Sequence, residues 1–256
     1  MKEIRYYESF TDDFTQSANQ AFTLPPDYQW IPDGVGARVK SGVIYTLALI
    51  FGGLYCRIWL GLRIKNKKVL RGRGGSFFLF GNHTQPVGDV FLPALCAFPR
   101  RIYTLAAPAN YGIPVIGKLL PHLGALPVVD SVDGMKKLTR AMEIRLSGGH
   151  PIVIYPEAHV WEYCSFIRPF PPTAMKYPVK FGAPAFSMTV TYQKTRFRKR
   201  PQAVVYLDGP FYGKGDTPRE RALDLHAKLT AIMNDRAKES NSDYIVYQPQ
   251  TMSPGD

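Results

Sequence analysis

Apolar residues run along this chain in short blocks rich in β-branched and aromatic types. Five read as strands: Phe77 to Phe80, Ile102 to Ala106, Ile152 to Tyr155, Phe186 to Tyr192 and Ala203 to Leu207, bounded by Gly, Pro or Asp. Between the second and third, Asp133 to Leu146 sets Met135, Leu138, Met142 and Leu146 on one face and Lys136, Lys137 and Arg140 elsewhere, then closes at Gly148-Gly149. That spacing predicts a surface helix. Thr217-Pro218-Arg219-Glu220 supplies an N-cap, a proline at the first helical position and the reciprocal glutamate, opening a helix to about Ala237. A shorter helix is expected from Val90 to Ala97, with Asp89 where an N-cap would stand. Strands alternating with helices predict an α/β fold with a mostly parallel twisted sheet flanked by helices. Sites in such sheets gather outside the carboxyl ends of the strands.

One block breaks this pattern. Val43 to Cys56 is continuously apolar or small, and Ile58 to Leu62 extends it past Arg57. Fourteen such residues are too few to cross a hydrocarbon core of about 30 Å, so the stretch reads as a helix lying in a membrane interface, as a buried core helix or, least of the three, as a true span with Arg57 snorkelling at one end. The flank favours the interface: Lys65, Lys67, Lys68, Arg71 and Arg73 follow at once, as a cluster facing anionic headgroups does. A second basic run, Lys194 to Arg200 around Phe197, fits a solvated hairpin or lipid contact equally well. The chain divides accordingly into an N-terminal segment 1–40, an apolar membrane-associated helix 41–64, a main domain 65–240 and a loosely held tail 241–256.

Composition narrows the function classes. The chain has 256 residues, 45% of them hydrophobic, enough for a sizeable core. Its net charge of +12 calls for an anionic partner: a phospholipid surface, a phosphorylated substrate or a nucleic acid. No nucleic-acid recognition module is legible, and the basic residues track the apolar segment instead, so no nucleic acid is expected. Cys56, Cys96 and Cys164 are odd in number and lack metal-ligand spacing; they point to a reducing compartment and neither a disulfide framework nor a metal. Met1 to Phe14 mixes acids and bases and does not read as a secretory signal.

Two of the strands end in polar clusters. After Phe77 to Phe80 come Asn82-His83 and, past a turn, Asp89; after Ile152 to Tyr155 come Pro156-Glu157 and His159. Histidine with a carboxylate is what a general base needs: an imidazole titrating near neutrality and a group that fixes its tautomer. The plainer alternatives are Asp89 as a helix cap, Glu157 as a buried partner of Arg168 or a lysine, and His159 as an ordinary exposed or core residue.

Asn82-His83 with Asp89, Tyr155-Pro156-Glu157, Arg168-Pro169-Phe170 and Gly182-Ala183-Pro184, taken in order over about residues 65 to 210, resemble the glycerolipid acyltransferase family typified by lysophosphatidic acid acyltransferase. Lys118, Pro121 and Gly124 match its Lys-x-x-Pro-x-x-Gly segment. The resemblance implies that His83 takes the proton from an acceptor hydroxyl, that Asp89 orients His83, and that Asn82, Glu157, His159, Lys118 and Arg168 belong to the substrate-binding set. It implies no cofactor beyond an acyl-CoA or acyl-carrier-protein thioester as co-substrate, a lysophospholipid acceptor, and a place on the cytoplasmic face of the cell membrane, peripheral or monotopic. Three positions depart from the family pattern. His83 and Asp89 are separated by one residue more than usual, the glycine after the motif glutamate is Ala158, and the arginine expected to meet the acceptor phosphate is Asp130. The last suggests an acceptor other than plain lysophosphatidic acid. The longer spacing and the missing arginine leave open a non-catalytic, lipid-binding relative that keeps the fold.

Overall fold

A computed structural model describes residues 3–15, 21–25, 27–32, 34–71 and 75–250. Arg73, part of the basic cluster read from the sequence, lies outside them, as do 251–256 of the tail. The main sheet has seven strands in the order β2-β8-β7-β3-β6-β4-β5. These are β2 (Arg63–Lys65), β3 (Phe78–Gly81), β4 (Tyr103–Ala106), β5 (Ala125–Pro127), β6 (Ile152–Ile154), β7 (Ala185–Gln193) and β8 (Gln202–Phe211). Every pairing is parallel except the β7–β8 hairpin. The α/β architecture is therefore the one the alternating pattern predicts, and the five strands expected from apolar runs are all present.

Central strands are apolar on both faces because helices cover both. Phe77 and Leu79 point into one core with Leu92, Trp161, Phe186 and Val205. Phe78 and Phe80 point into the other with Leu138, Met142, Leu225 and Leu229. The helices on the second side are α4 (Val132–Ser147) and α6 (Pro218–Ala237), and the predicted capping box of Thr217 and Glu220 opens α6. Short α3 (Ile116–Leu123) and α5 (Lys176–Phe181) complete the links between strands.

Three expectations need correction. The apolar helix α1 runs Val35–Ile58 and not 41–64: it gathers Val35 to Gly42, and Gly61, at φ +60°, turns the chain into β2. At 24 residues it is about 36 Å long and apolar enough to cross a membrane by length and composition. Second, α2 (Gly88–Ala97) starts before Asp89, which stands in its first turn and not at the cap. Third, the tail is not loose throughout. Ile245–Pro249 forms β9 and pairs in parallel with β1 (Glu3–Tyr7), burying Ile245 and Tyr247.

α1 packs one face on the domain along most of its length. Ser41 Oγ meets His122 Nδ1 at 2.9 Å, the Tyr45 hydroxyl accepts from the Ile102 N–H at 3.2 Å, and Cys56 is wholly buried. At Gly52, a Cβ would lie 2.3 Å from the Phe91 ring of α2, so only glycine lets the two helices meet this closely. The opposite face, Val35, Val39, Val43, Leu47, Ile50, Leu54 and Ile58, is exposed. Spacings of three and four keep those residues in one stripe.

Candidate active site

Asn82 and His83 directly follow β3, and Pro156 and Glu157 follow the adjacent β6, so both polar clusters reach the same end of the sheet. The Asn82 side chain is spent on the fold: its amide donates to the Val190 carbonyl at 3.0 Å and accepts from the Val190 N–H at 2.8 Å. This locks the end of β3 to β7 and fixes where the next residue starts.

His83 Nδ1 and Asp89 Oδ2 are 2.8 Å apart. The same Oδ2 accepts from the backbone N–H groups of Thr84 at 2.8 Å and Gln85 at 2.9 Å. The loop thus curls around the carboxylate, which is how five intervening residues still bring the pair together. Asp89 is 2% exposed, so its orientation is set by these donors and not by water. The Tyr155 ring stacks on the imidazole at 4.4 Å and 17°, and its hydroxyl donates to the Asp89 carbonyl at 2.7 Å. Burial, with the nearby Asp89 charge, holds the Tyr155 phenol well above its usual pKa, so it stays a neutral donor. With Nδ1 committed to Asp89, Nε2 is the nitrogen left to exchange a proton. The imidazole side chain is 21% exposed and reachable.

Glu157 does something different. Its Oε2 accepts from the His83 N–H at 3.1 Å and from the Arg168 guanidinium at 2.9 Å, while Oε1 accepts from the Arg168 N–H at 3.0 Å. Both side chains are 1% exposed. Expected among the substrate-binding residues, Glu157 and Arg168 instead face each other in the interior and brace the backbone of His83. Burial pushes the Glu157 pKa up, and Arg168 acts against that shift. Arg168 also donates to the carbonyls of Phe10 and His159, and its guanidinium lies over Trp161 at 4.8 Å. The loop after β6 is tied to the histidine loop in turn: Trp161 N–H donates to the His83 carbonyl and Tyr163 N–H to that of Thr84, both at 3.0 Å.

His159 turns toward the N-terminal arm, with Nδ1 3.6 Å from Asp13 Oδ2. Lys118 is exposed on α3 and makes no ion pair among the described residues. Asp130 is exposed just past the edge strand β5, in a surface cleft of about 570 Å³ shared with Met135, Lys136 and Lys180. β5 is three strands from β3, about 14 Å across the sheet. The structure therefore joins His83, Asp89, Glu157 and Arg168 into one constellation, takes in His159 only through its backbone carbonyl, and leaves Lys118, Asp130 and the His159 side chain outside its hydrogen bonds.

The architecture has a solved counterpart. It is similar to the crystal structure of the 1-acyl-sn-glycerophosphate (LPA) acyltransferase PlsC from Thermotoga maritima, with a TM-score of 0.58 over 79% of this chain and 82% of that one. Sequence identity is 14%, so the likeness is one of fold. No protein-family model matches the chain, and no curated protein sequence does either.

Some contributors had little sequence signal. Tyr155 was legible as the last residue of a strand, but its stacking on His83 depends on β3 and β6 being neighbours. The arm at residues 3–15 was read only as an N-terminal segment. Its Tyr7, Phe10 and Phe14 pack around Trp161, and the Asp12 carbonyl accepts from the Trp161 indole at 2.8 Å. Ala158, where the family pattern has glycine, adopts φ +64°. That is the left-handed region, where glycine is unstrained and alanine is not.

Proposed function

We propose that this protein is an acyltransferase that moves a fatty acyl group from a thioester to the hydroxyl of a lysophospholipid or related glycerolipid. One observation carries the reading: an imidazole oriented at 2.8 Å by a buried carboxylate, itself held by two backbone N–H groups, at the carboxyl end of β3. In the proposed reaction, His83 Nε2 removes the acceptor's hydroxyl proton as its oxygen attacks the thioester carbonyl. The C–S bond then breaks, and the thiolate leaves with the proton carried by the imidazolium. Asp89 stabilises that imidazolium. General-base help of this kind contributes about 10²–10⁴-fold. Glu157 and Arg168 act as positioning residues, since neither reaches a substrate directly.

The similarity of fold to an LPA acyltransferase supports the reaction class. The 2.8 Å contact favours catalysis over a binding-only relative, because it holds a buried carboxylate on the imidazole in the orientation a general base needs. The exposed apolar stripe of α1 supports work at a membrane, with the helix lying along the lipid surface while its other face stays on the domain. Cys56, Cys96 and Cys164 are buried free thiols, which fits the cytoplasmic face.

The test is acyl transfer by the full chain in lipid vesicles, with acyl-CoA and acyl-carrier-protein donors and lysophospholipids that differ only in headgroup. His83→Ala should retain its melting transition and lose turnover by about 10²-fold or more. Wild-type turnover in folded His83→Ala removes the histidine from the reaction.

A further inference from the structure

The turn Lys194–Pro201 between β7 and β8 lies far in sequence from α1, yet the fold sets it against the end of that helix. Arg198 donates to the carbonyls of Ile58, at 3.1 Å, and Trp59, occupying the carbonyl end of α1. Gly61 makes room for it: a Cβ there would sit 3.1 Å from Arg198 Cζ. Arg200 stacks on the Trp59 ring with Cζ 4.0 Å from its centroid, and the Gln202 amide donates to the Gly61 carbonyl at 2.7 Å. At the tip, Phe197 is 91% exposed, with Arg196 at 5.7 Å from its ring centroid.

This exposed aromatic, flanked by Lys194, Arg196 and Lys199, buries almost none of its ring against the fold. Its turn is joined through Arg198 and Arg200 to Ile58 and Trp59, the exposed end of the apolar stripe of α1. Aromatic rings and snorkelling cations side by side are what a bilayer interface accommodates, the ring at headgroup depth and the charges among phosphates. The charge distribution selects the kind of bilayer. Between Gly34 and Val129 the only acidic residue is Asp89, which is buried, whereas Lys and Arg occur twelve times. The hairpin tip adds to this excess of positive charge and has no carboxylate of its own.

We propose that the β7–β8 turn is a second membrane-contacting element, joined to α1 through Arg198 and Arg200, and that its partner is an anionic phospholipid bilayer. The inference rests on the membrane reading of α1 and adds a specific contact to it. Two contacts, one a helix stripe and one a hairpin tip, fix how the domain is rotated on the lipid, which a single helix does not.

The native cysteines are buried, so an introduced surface cysteine can carry an environment-sensitive fluorophore selectively. The full chain is labelled at Phe197→Cys or, separately, at Val43→Cys on the α1 stripe, and titrated with phosphatidylcholine vesicles with or without phosphatidylglycerol. The expected result is a blue-shifted, lipid-quenchable signal at both positions, strongest with phosphatidylglycerol and weakened by salt. Arg196→Gln with Lys199→Gln, in otherwise native chain, should lower the partition coefficient by up to about thirtyfold, at about fivefold for each cation at an anionic surface. A shift at position 43 with none at 197 overturns the hairpin contact and leaves the α1 reading standing. No shift at either position overturns both. Equal shifts with and without phosphatidylglycerol overturn the choice of an anionic surface.

Discussion

Replacing Asp89 by asparagine separates the catalytic role of the carboxylate from its structural one. Oδ2 accepts three hydrogen bonds, from His83 Nδ1 and the N–H groups of Thr84 and Gln85, and the residue is buried. An asparagine oxygen in the same place still accepts from both backbone groups. What is lost is the negative charge, and hydrogen bonds to a charged group contribute about 1.5–3 kcal/mol against about 1 for neutral ones. At about 0.5–2 kcal/mol for each of the three bonds, Asp89→Asn should therefore cost up to about 6 kcal/mol of stability. Asp89→Ala would leave two buried backbone donors, the N–H groups of Thr84 and Gln85, without a partner, at about 1–3 kcal/mol each, and free the imidazole as well, a large part of the 5–15 kcal/mol that holds a domain folded. The asparagine is the informative variant for that reason. Its imidazolium has no counter-charge when His83 takes up a proton, so kcat should fall by about 10²–10⁴-fold, with KM for both substrates little changed. Denaturant unfolding gives the stability change and steady-state thioester turnover the catalytic one. Turnover within about threefold of wild type in a folded Asp89→Asn refutes the reasoning and reduces Asp89 to a loop anchor.

Other expectations concern the frame around the pair. Arg168→Met strips the guanidinium from a buried glutamate and should cost about 3–5 kcal/mol at neutral pH. Because burial alone then raises the Glu157 pKa further, the folded state binds the extra proton; stability should recover as pH falls from 7 toward 5 and decline as it rises, and a pH-independent loss would contradict the pairing. Ala158→Gly relieves a left-handed backbone and should raise stability by up to about 1 kcal/mol, or about 2–4 °C in Tm, with activity retained; a drop in Tm would show the alanine to be unstrained. Gly52→Leu drives a side chain into Phe91 and should destabilise the packing of α1 on α2 by about 1–3 kcal/mol or more, seen as faster proteolysis within α1; unchanged protection would mean that the two helices are not in close contact.

What the sequence determined by itself was whatever depends on neighbours along the chain. β3, β6, β7 and β8 were legible because strands buried on both faces are mostly apolar, β7 alternating its apolar residues with the small hydroxyls Ser187, Thr189 and Thr191, and the cap of α6 because Thr217 and Glu220 meet within one helical turn. The residue types of a general base, His83 and Asp89, were legible for the same reason: they stand only six positions apart, at the two ends of one short loop. Tertiary structure decided the rest. β2 and β5 are three residues long and hold no pattern of their own; β1 and β9 pair across more than two hundred residues, which no local window can register. Whether Asp89 would cap a helix or grip an imidazole turned on which way the Thr84–Val87 loop curled. Glu157 and Arg168 could each have met a substrate, but the adjacency of β3 and β6 sets the carboxylate beneath the His83 N–H and the guanidinium beside it, out of reach of water. The run Lys194 to Arg200 acquired its meaning only when the hairpin placed Arg198 on the last carbonyls of α1. A charge or an apolar ring is written in the sequence, but what it faces is a distance in space, set by packing that distant segments make together.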